Sequence, residues 1–362
     1  MPVSTCTLGG EVQFLPVLLL LLFLNAVMGF KLCPSHCLCY ESSDLVDCRS
    51  RGLTRIPSSV PHGTWLLDLS GNKMTEVRSR SFTGLWSLKI LLISNSISVT
   101  VLKYFQSLSS LQFLERLDLS YNSLQKLPED FSESLSSLQE LKLDHNLLQH
   151  LDSTSLGDFE NLRKLDLSYN NISTIDIRAF DSLSRLIILN LEENKLNVVR
   201  DQLLSRQQSL EVLLLNHNNI SVIDSDALSP LRSLVLLGLR GNKLDHIRFK
   251  TFLELHTTST HLQLSSNPWT CDCELQRVFG KIQRVRHLRV LDYKEIICHA
   301  PPQQAGLSLS DLDSQLCMAE TVSVLVITFT VLLAVVGTLM KAERNRKKKL
   351  IAMETESQRQ EK

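Results

Sequence analysis

Aromatic residues make up only 6% of this 362-residue chain, and 38 Lys+Arg against 38 Asp+Glu leave no formal net charge. Without a surplus of positive charge there is no electrostatic footprint for nucleic acid, and no nucleic-acid partner is expected. With so few rings, the core has to be built from aliphatic side chains, and leucine supplies it. The short motifs of enzymes are also missing. There is no nucleophile elbow, no phosphate-binding glycine loop and no metal-binding helix motif. The reading is therefore of a non-enzyme with no catalytic residue, no cofactor, no metal and no small-molecule substrate.

What the chain does have is a repeat. Leu162 to Ile172 reads Leu-Arg-Lys-Leu-Asp-Leu-Ser-Tyr-Asn-Asn-Ile, of the form L-x-x-L-x-L-x-x-N-x-[LI]. Its asparagine recurs at Asn122, Asn146, Asn170, Asn194, Asn218 and Asn242, in steps of 24 residues. Weaker copies place Asn72 and Asn95 before this run and Asn267 after it, giving about nine units. Ten residues after the asparagine a second ladder places Phe82, Phe105, Leu156, Phe180, Leu204, Leu228 and Phe252. Alternating leucines such as Leu165 and Leu167 point one side of a short strand inward, because strand side chains alternate faces. A buried asparagine after the strand can bond backbone groups that the turning chain leaves unpaired. One such coil cannot bury its apolar side alone, so the coils must stack into a curved solenoid.

The period breaks twice. Asn72 to Asn95 is 23 residues and Asn95 to Asn122 is 27. A bulge or altered curvature is expected over Ile97 to Leu114. His145 and His217 both precede a ladder asparagine but lie three coils apart. At about 4.8 Å per strand that is roughly 14 Å, too far to share one metal ion.

Nine cysteines are present. Cys6 falls in an apolar leader, and the other eight form two groups of four: Cys33, Cys37, Cys39 and Cys48, then Cys271, Cys273, Cys298 and Cys317. In a secreted chain disulfides are the default over a zinc site. Four cysteines allow three pairings, so spacing does not choose between them.

Repeats and cysteine groups together resemble the extracellular leucine-rich-repeat family in its cysteine-capped form, from about Cys33 to Cys317. The resemblance implies an α/β fold: a curved solenoid of about nine repeats with a parallel concave sheet and disulfide caps, followed by one transmembrane helix. It also implies the pairs Cys33–Cys39, Cys37–Cys48, Cys271–Cys298 and Cys273–Cys317. The caps answer a physical need, since each open end of a solenoid exposes apolar core and an unpaired strand edge. Trp269, in the Asn-Pro-Trp-x-Cys-x-Cys stretch from Asn267 to Cys273, is expected to close the far end.

The apolar run Phe14 to Leu24, followed by Val27-Met28-Gly29, reads as a cleaved signal with Phe30 the first mature residue. A signal anchor is the alternative, as no basic residue precedes the run and Glu11 stands there instead. Thr321 to Met340 is 20 residues without a charge, the length that crosses a bilayer as a helix. From Lys341 on there are eight Lys/Arg against four Asp/Glu. This places the tail in the cytoplasm and the repeats outside, at the plasma membrane, as a single-pass type I protein. The basic cluster serves as a stop-transfer signal or, alternatively, attracts anionic lipid or a partner. The expected layout is a signal peptide at 1–29, amino-terminal cap at 30–63, repeats at 64–266, carboxy-terminal cap at 267–317, span at 321–340 and tail at 341–362. Only three residues separate Cys317 from the span, the tail is too short for a domain and lacks tyrosine, and the span holds no ionisable residue.

The remaining feature is a surface. The third repeat position runs Arg116, Glu140, Lys164, Ile188, Val212, Leu236. The fifth runs Asp118, Lys142, Asp166, Asn190, Leu214, Gly238. Both change from charged to apolar near the sixth unit. Ile188, Val212, Leu214 and Leu236 are expected to form an exposed patch that binds a partner, although branched aliphatics also simply suit strands. Asn171-Ile172-Ser173 and Asn219-Ile220-Ser221 are glycosylation acceptors in a common phase, so glycans on Asn171 and Asn219 are expected on one flank. The expected function is binding of a protein partner, a channel or receptor in the same membrane, as an accessory subunit or co-receptor. In overall shape the chain is similar to the auxiliary gamma subunits of large-conductance potassium channels. It also resembles Slit-like and neuronal leucine-rich-repeat transmembrane proteins, which implies an adhesion or ligand-binding receptor engaging a matrix or opposite-cell partner. A Toll-like ectodomain without its signalling domain is a third resemblance.

Overall fold

The computed structural model describes residues 33–360 except 41, 43, 76–79, 98–107, 109, 129–130, 134, 254, 256 and 313. The leader, with Cys6, Phe30 and the supposed cleavage site, and the ladder residue Phe105 lie outside the described residues.

Each coil gives one short strand to a 12-stranded sheet. Leu38–Tyr40 is antiparallel to Leu45–Asp47, and every later strand in the sheet is parallel to its neighbours. The cause is the leucine at the centre of each strand. From Leu67 to Leu262 none of these is more than 1% exposed, while the residues on either side look onto the concave face. A strand one residue out of register would turn its leucine to solvent, so burial fixes the stacking.

The asparagine ladder sews consecutive coils together. The Asn170 amide donates to the carbonyls of Leu143 and Leu167, both at 3.0 Å, and its oxygen accepts the Leu148 N–H at 3.0 Å. Asn146, Asn194, Asn218, Asn242 and Asn267 repeat the pattern. In the second unit the ladder position is held by Ser96 rather than Asn95, which corrects the expected register. The Ser96 hydroxyl donates to the Leu69 carbonyl at 2.7 Å and accepts the Asn72 N–H at 3.0 Å. Asn95 instead occupies the turn before it, at φ +49°, a left-handed conformation that asparagine tolerates. Counted from Ser96, the second unit has the regular 24 residues and the third has 26, two more than the period. The sheet register runs on through Ile90–Leu92 and Arg116–Asp118 without a shift, so no bulge reaches the strands. Most of the stretch expected to bulge lies outside the described residues.

Phe82, Leu156, Phe180, Leu204, Leu228 and Phe252 are all buried on the far side of the core. On the convex side, short parallel pairs join His150–Leu151 to Thr174–Ile175 and Val198–Val199 to Val222–Ile223. A cleft of about 670 Å³ opens between these two pairs.

Disulfides pin both ends. Cys33–Cys39 and Cys37–Cys48 hold the amino-terminal hairpin, and Cys271–Cys298 and Cys273–Cys317 hold the carboxy-terminal cap. These are the pairs the resemblance implies. Trp269 is fully buried edge-on to Phe279, with ring centroids 5.8 Å apart, and its indole N–H donates to the Leu264 carbonyl at 3.0 Å. Phe279 belongs to the cap helix Cys273–Arg284, started by Asp272 accepting the Leu275 N–H at 2.8 Å. Its apolar stripe of Leu275, Val278, Phe279 and Ile282 covers the open end of the core. Beyond the cap a helix runs from Ser314 to Gln360 and includes Val322–Met353, long and apolar enough to cross a membrane.

Candidate interaction surface

The strand register brings three of the four expected contact residues into one row. Ile188 lies opposite Val212, and Val212 opposite Leu236, with Leu214 two residues along the same strand as Val212. All four are half-buried rather than fully exposed, since strands about 4.8 Å apart shield each other's flanks. The row is a narrow apolar strip with intact core beneath it, at Leu189, Leu213 and Leu237.

Polar groups border the strip. Asn216 accepts the Arg240 N–H at 2.8 Å and donates to the Glu192 carboxylate. Its amide lies over Gly238, where an added Cβ would come within 2.6 Å of Asn216 Nδ2. Glycine at this strand position thus lets the side chain of the neighbouring coil lie flat against the sheet.

Coils two to six carry an excess of cations along one edge of the sheet and an excess of acids along the other. At the leading edge, Lys89 pairs with Glu115 at 2.6 Å and Arg116 with Glu140 at 3.6 Å, and Arg163, Lys164 and Arg185 follow. At the trailing edge stand Asp118, Asp144 and Asp166, with Lys142 between Asp118 and Asp166. Ser120 and Ser168 donate to Asp118 and Asp166, each hydroxyl at 2.6 Å, so both carboxylates are fixed. Burial raises the Asp144 carboxyl above its ordinary range. Asp166 and Asp118 push the same way, against the hydrogen bond from His145.

Beside these acids stands an aromatic column that sequence reasoning did not assemble. His145 is stacked between Tyr121, at 4.0 Å, and Tyr169, at 4.3 Å, with 13° between planes in both pairs. Its Nδ1 lies 2.9 Å from Asp144 Oδ2, which holds the ring in line. All three residues adopt positive φ, +56°, +54° and +52°, at the turn before the ladder asparagine. Gly71 and Gly241 fill that turn elsewhere in the solenoid. A bulky residue there costs roughly 1–2 kcal/mol of backbone strain. The rings repay little of it by burial, since Tyr121 is 55% and Tyr169 50% exposed. The signal for the column was the 24-residue phase, which aligns Tyr121 and Tyr169 with His145.

His217, the other histidine in that phase, lies against Gly241, whose added Cβ would meet its Nδ1 at 2.6 Å. Among the described residues no group of three or more His, Cys, Asp or Glu could hold a metal ion. Asn171 and Asn219 occupy equivalent positions two coils apart, both partly exposed. Their N–H groups donate to Leu148 and Leu196 carbonyls at 2.9 Å.

The family profile described as "Leucine rich repeat" matches residues 114–172, 136–196, 160–209 and 184–244. Leucine-rich repeat-containing protein 3 of Danio rerio is 36% identical over 116 residues, 31% of this chain and 42% of that protein. Tsukushi of Gallus gallus is 34% identical over 145 residues, 38% of this chain and 39% of that protein. The chain thus spans about two fifths of the length of these relatives. Among solved structures, human trophoblast glycoprotein superposes with a TM-score of 0.57 at 24% identity, covering 79% of this chain and 98% of that one. A chain from an octameric complex of Latrophilin 3, Unc5D and the leucine-rich repeats of FLRT2 gives 0.56 at 22%, covering 78% and 98%. At these identities the likeness is one of fold. With the matched repeats, the stacked strands, the asparagine ladder and the paired caps, the protein is a leucine-rich-repeat solenoid closed at both ends by disulfides.

Proposed function

We propose that this is a non-enzymatic type I membrane protein, its repeats outside the cell at the plasma membrane, that binds a protein partner through the concave sheet. It acts as an accessory subunit or co-receptor beside a channel or receptor in the same membrane. The contact surface is the strip Ile188, Val212, Leu214 and Leu236, with glycans on Asn171 and Asn219 on a flank.

One observation carries the same-membrane reading. Cys317, which anchors the cap through Cys273, lies within the same helix that continues into the apolar segment. Four residues lie between it and Val322, about 7.5 Å over five steps of the helical rise. A solenoid joined to its membrane helix this directly has no stalk with which to reach across to another cell. It presents its concave face close to the bilayer, where a neighbour in that bilayer can meet it.

Proximity labelling on mixed cultures tests this. A peroxidase placed on the repeats is expected to label membrane proteins of the expressing cell. Labelling confined to apposed cells or matrix assigns the protein to adhesion instead.

A further inference from the structure

The leading edge of the sheet holds a second, separate feature: a depression of about 310 Å³ spanning coils two to six. Lys89, Arg163 and Arg185 line it, with Gln139 and Asn161 between them and Glu115 as the one carboxylate. Lys89 already engages Glu115 at 2.6 Å, so the two guanidinium groups set the local charge. Arg185 is held in place by donating to Asn161 Oδ1 at 2.5 Å, while Asn161 donates to the Ser136 carbonyl at 2.8 Å. That bond uses one of five guanidinium N–H groups, which leaves the others to donate to a ligand in the depression that Arg185 lines. Lys89 and Arg185 stand four strand steps apart, about 19 Å along the solenoid.

We infer that this depression binds an acidic polysaccharide, its sulfate or carboxylate groups bound by Arg163 and Arg185 and its hydroxyls by Gln139 and Asn161. Three features select this ligand. The depression extends past the arginine pair as far as Lys89, about 19 Å along the solenoid, a length that suits a linear polyanion better than a single anion. No apolar side chain lines the depression, so it lacks the buried anchor on which a protein interface centres. Amide groups alternate with the cations and offer hydrogen bonds to neutral sugar oxygens as well as charge. A guanidinium fork matches a planar or tetrahedral oxyanion with two donors at once. The site is independent of the apolar strip. It shares with the proposed function only the placement of the repeats outside the cell, and the binding test below does not depend on that placement.

The test uses the full-length protein in neutral detergent on immobilised heparin at 0.15 M salt, with Kd read by interferometry. Arg346, Lys347, Lys348 and Lys349 are changed to Gln in parent and variants alike, so that the basic tail does not itself bind heparin. The double variant Arg163→Ala/Arg185→Ala is expected to bind at least tenfold more weakly and to show a shallower dependence on salt, as fewer counterions are exchanged. Arg178→Ala/Arg200→Ala removes two exposed arginines from the convex cleft and is expected to stay within twofold of the parent. Unchanged migration on non-reducing gels shows that both variants keep their disulfides. Three results overturn the inference. The parent fails to bind. The first variant binds like the parent, or both variants lose affinity equally, which means unspecific charge. Inorganic sulfate at equal sulfate concentration displaces the polymer fully, which makes this a site for a single anion.

Discussion

Cys317 is bonded to Cys273 across 44 residues of sequence, which joins the helix that leads into the apolar segment to the first residue of the cap helix. A loop of that length confers about 4 kcal/mol in the chain-entropy account of disulfides. The double variant Cys273→Ser/Cys317→Ser should therefore unfold at lower denaturant. The junction before Val322 should become sensitive to protease while the repeats stay resistant. A variant whose midpoint and cleavage pattern both match the parent would show that other contacts hold the junction.

The asparagine ladder makes a sharper prediction at Asn170. Replacing it by alanine strands two carbonyls and one N–H in a buried place, at a cost of about 2–4 kcal/mol. Ser96→Ala, which removes one bond in each direction, should cost about half as much. Denaturant midpoints of the two variants give the order. Equal losses would mean that Ser96 carries the full role of a ladder asparagine.

Asp144 makes the stability depend on pH. Burial raises its carboxyl above the ordinary aspartate value near 3.8, so the folded chain holds this proton more tightly than the unfolded chain. The contribution of this group is therefore full below the ordinary value and is lost as pH rises through the raised one. Asp144→Asn should melt above the parent at neutral pH, with the gap closing below about pH 3.8. If the variant melts lower at neutral pH, the charged bond to His145 outweighs burial.

The repeat made the solenoid legible because period and burial are the same fact. A residue every 24 steps with leucines two apart can only be a stacked strand. Asn95 misled because the rule reads residue type, whereas the turn asks for a left-handed residue followed by a short buried donor. Asn95 satisfies the first need and Ser96 the second. The column at Tyr121, His145 and Tyr169 was out of reach for another reason. Stacking joins residues 24 apart, and each alone looks like an ordinary exposed residue. The uneven charge across coils two to six was equally hidden, since cations and acids alternate along the sequence and collect on opposite edges only when the strands align.

Glycans report the side of the membrane. Asn171→Gln and Asn219→Gln should each increase mobility by one glycan, and enzymatic deglycosylation should abolish the difference. Antibody to residues 341–362 should label only permeabilised cells. Tail labelling on intact cells would reverse the orientation.

The strip at Val212 and Leu236 decides whether the concave face binds the partner. The two lie directly opposite each other on adjacent strands, so a pair of glutamates there would set like charges face to face and weaken the sheet itself. Val212→Lys with Leu236→Glu avoids this, since the new charges attract. Both positions are half-buried beside core residues that stay intact, so the stability loss should remain near 1 kcal/mol. A partner that buries the strip meets two charges it must desolvate, which costs several kcal/mol and lowers affinity by more than 100-fold. Leu213→Glu supplies the contrast: it forces a charge into a site 1% exposed and should keep the protein from the cell surface. The informative measurement is surface level and partner capture on the same cells. Normal surface level with capture lost places the partner on the strip. Normal surface level with normal capture moves the contact to the Tyr121–His145–Tyr169 column, which the substitutions leave untouched.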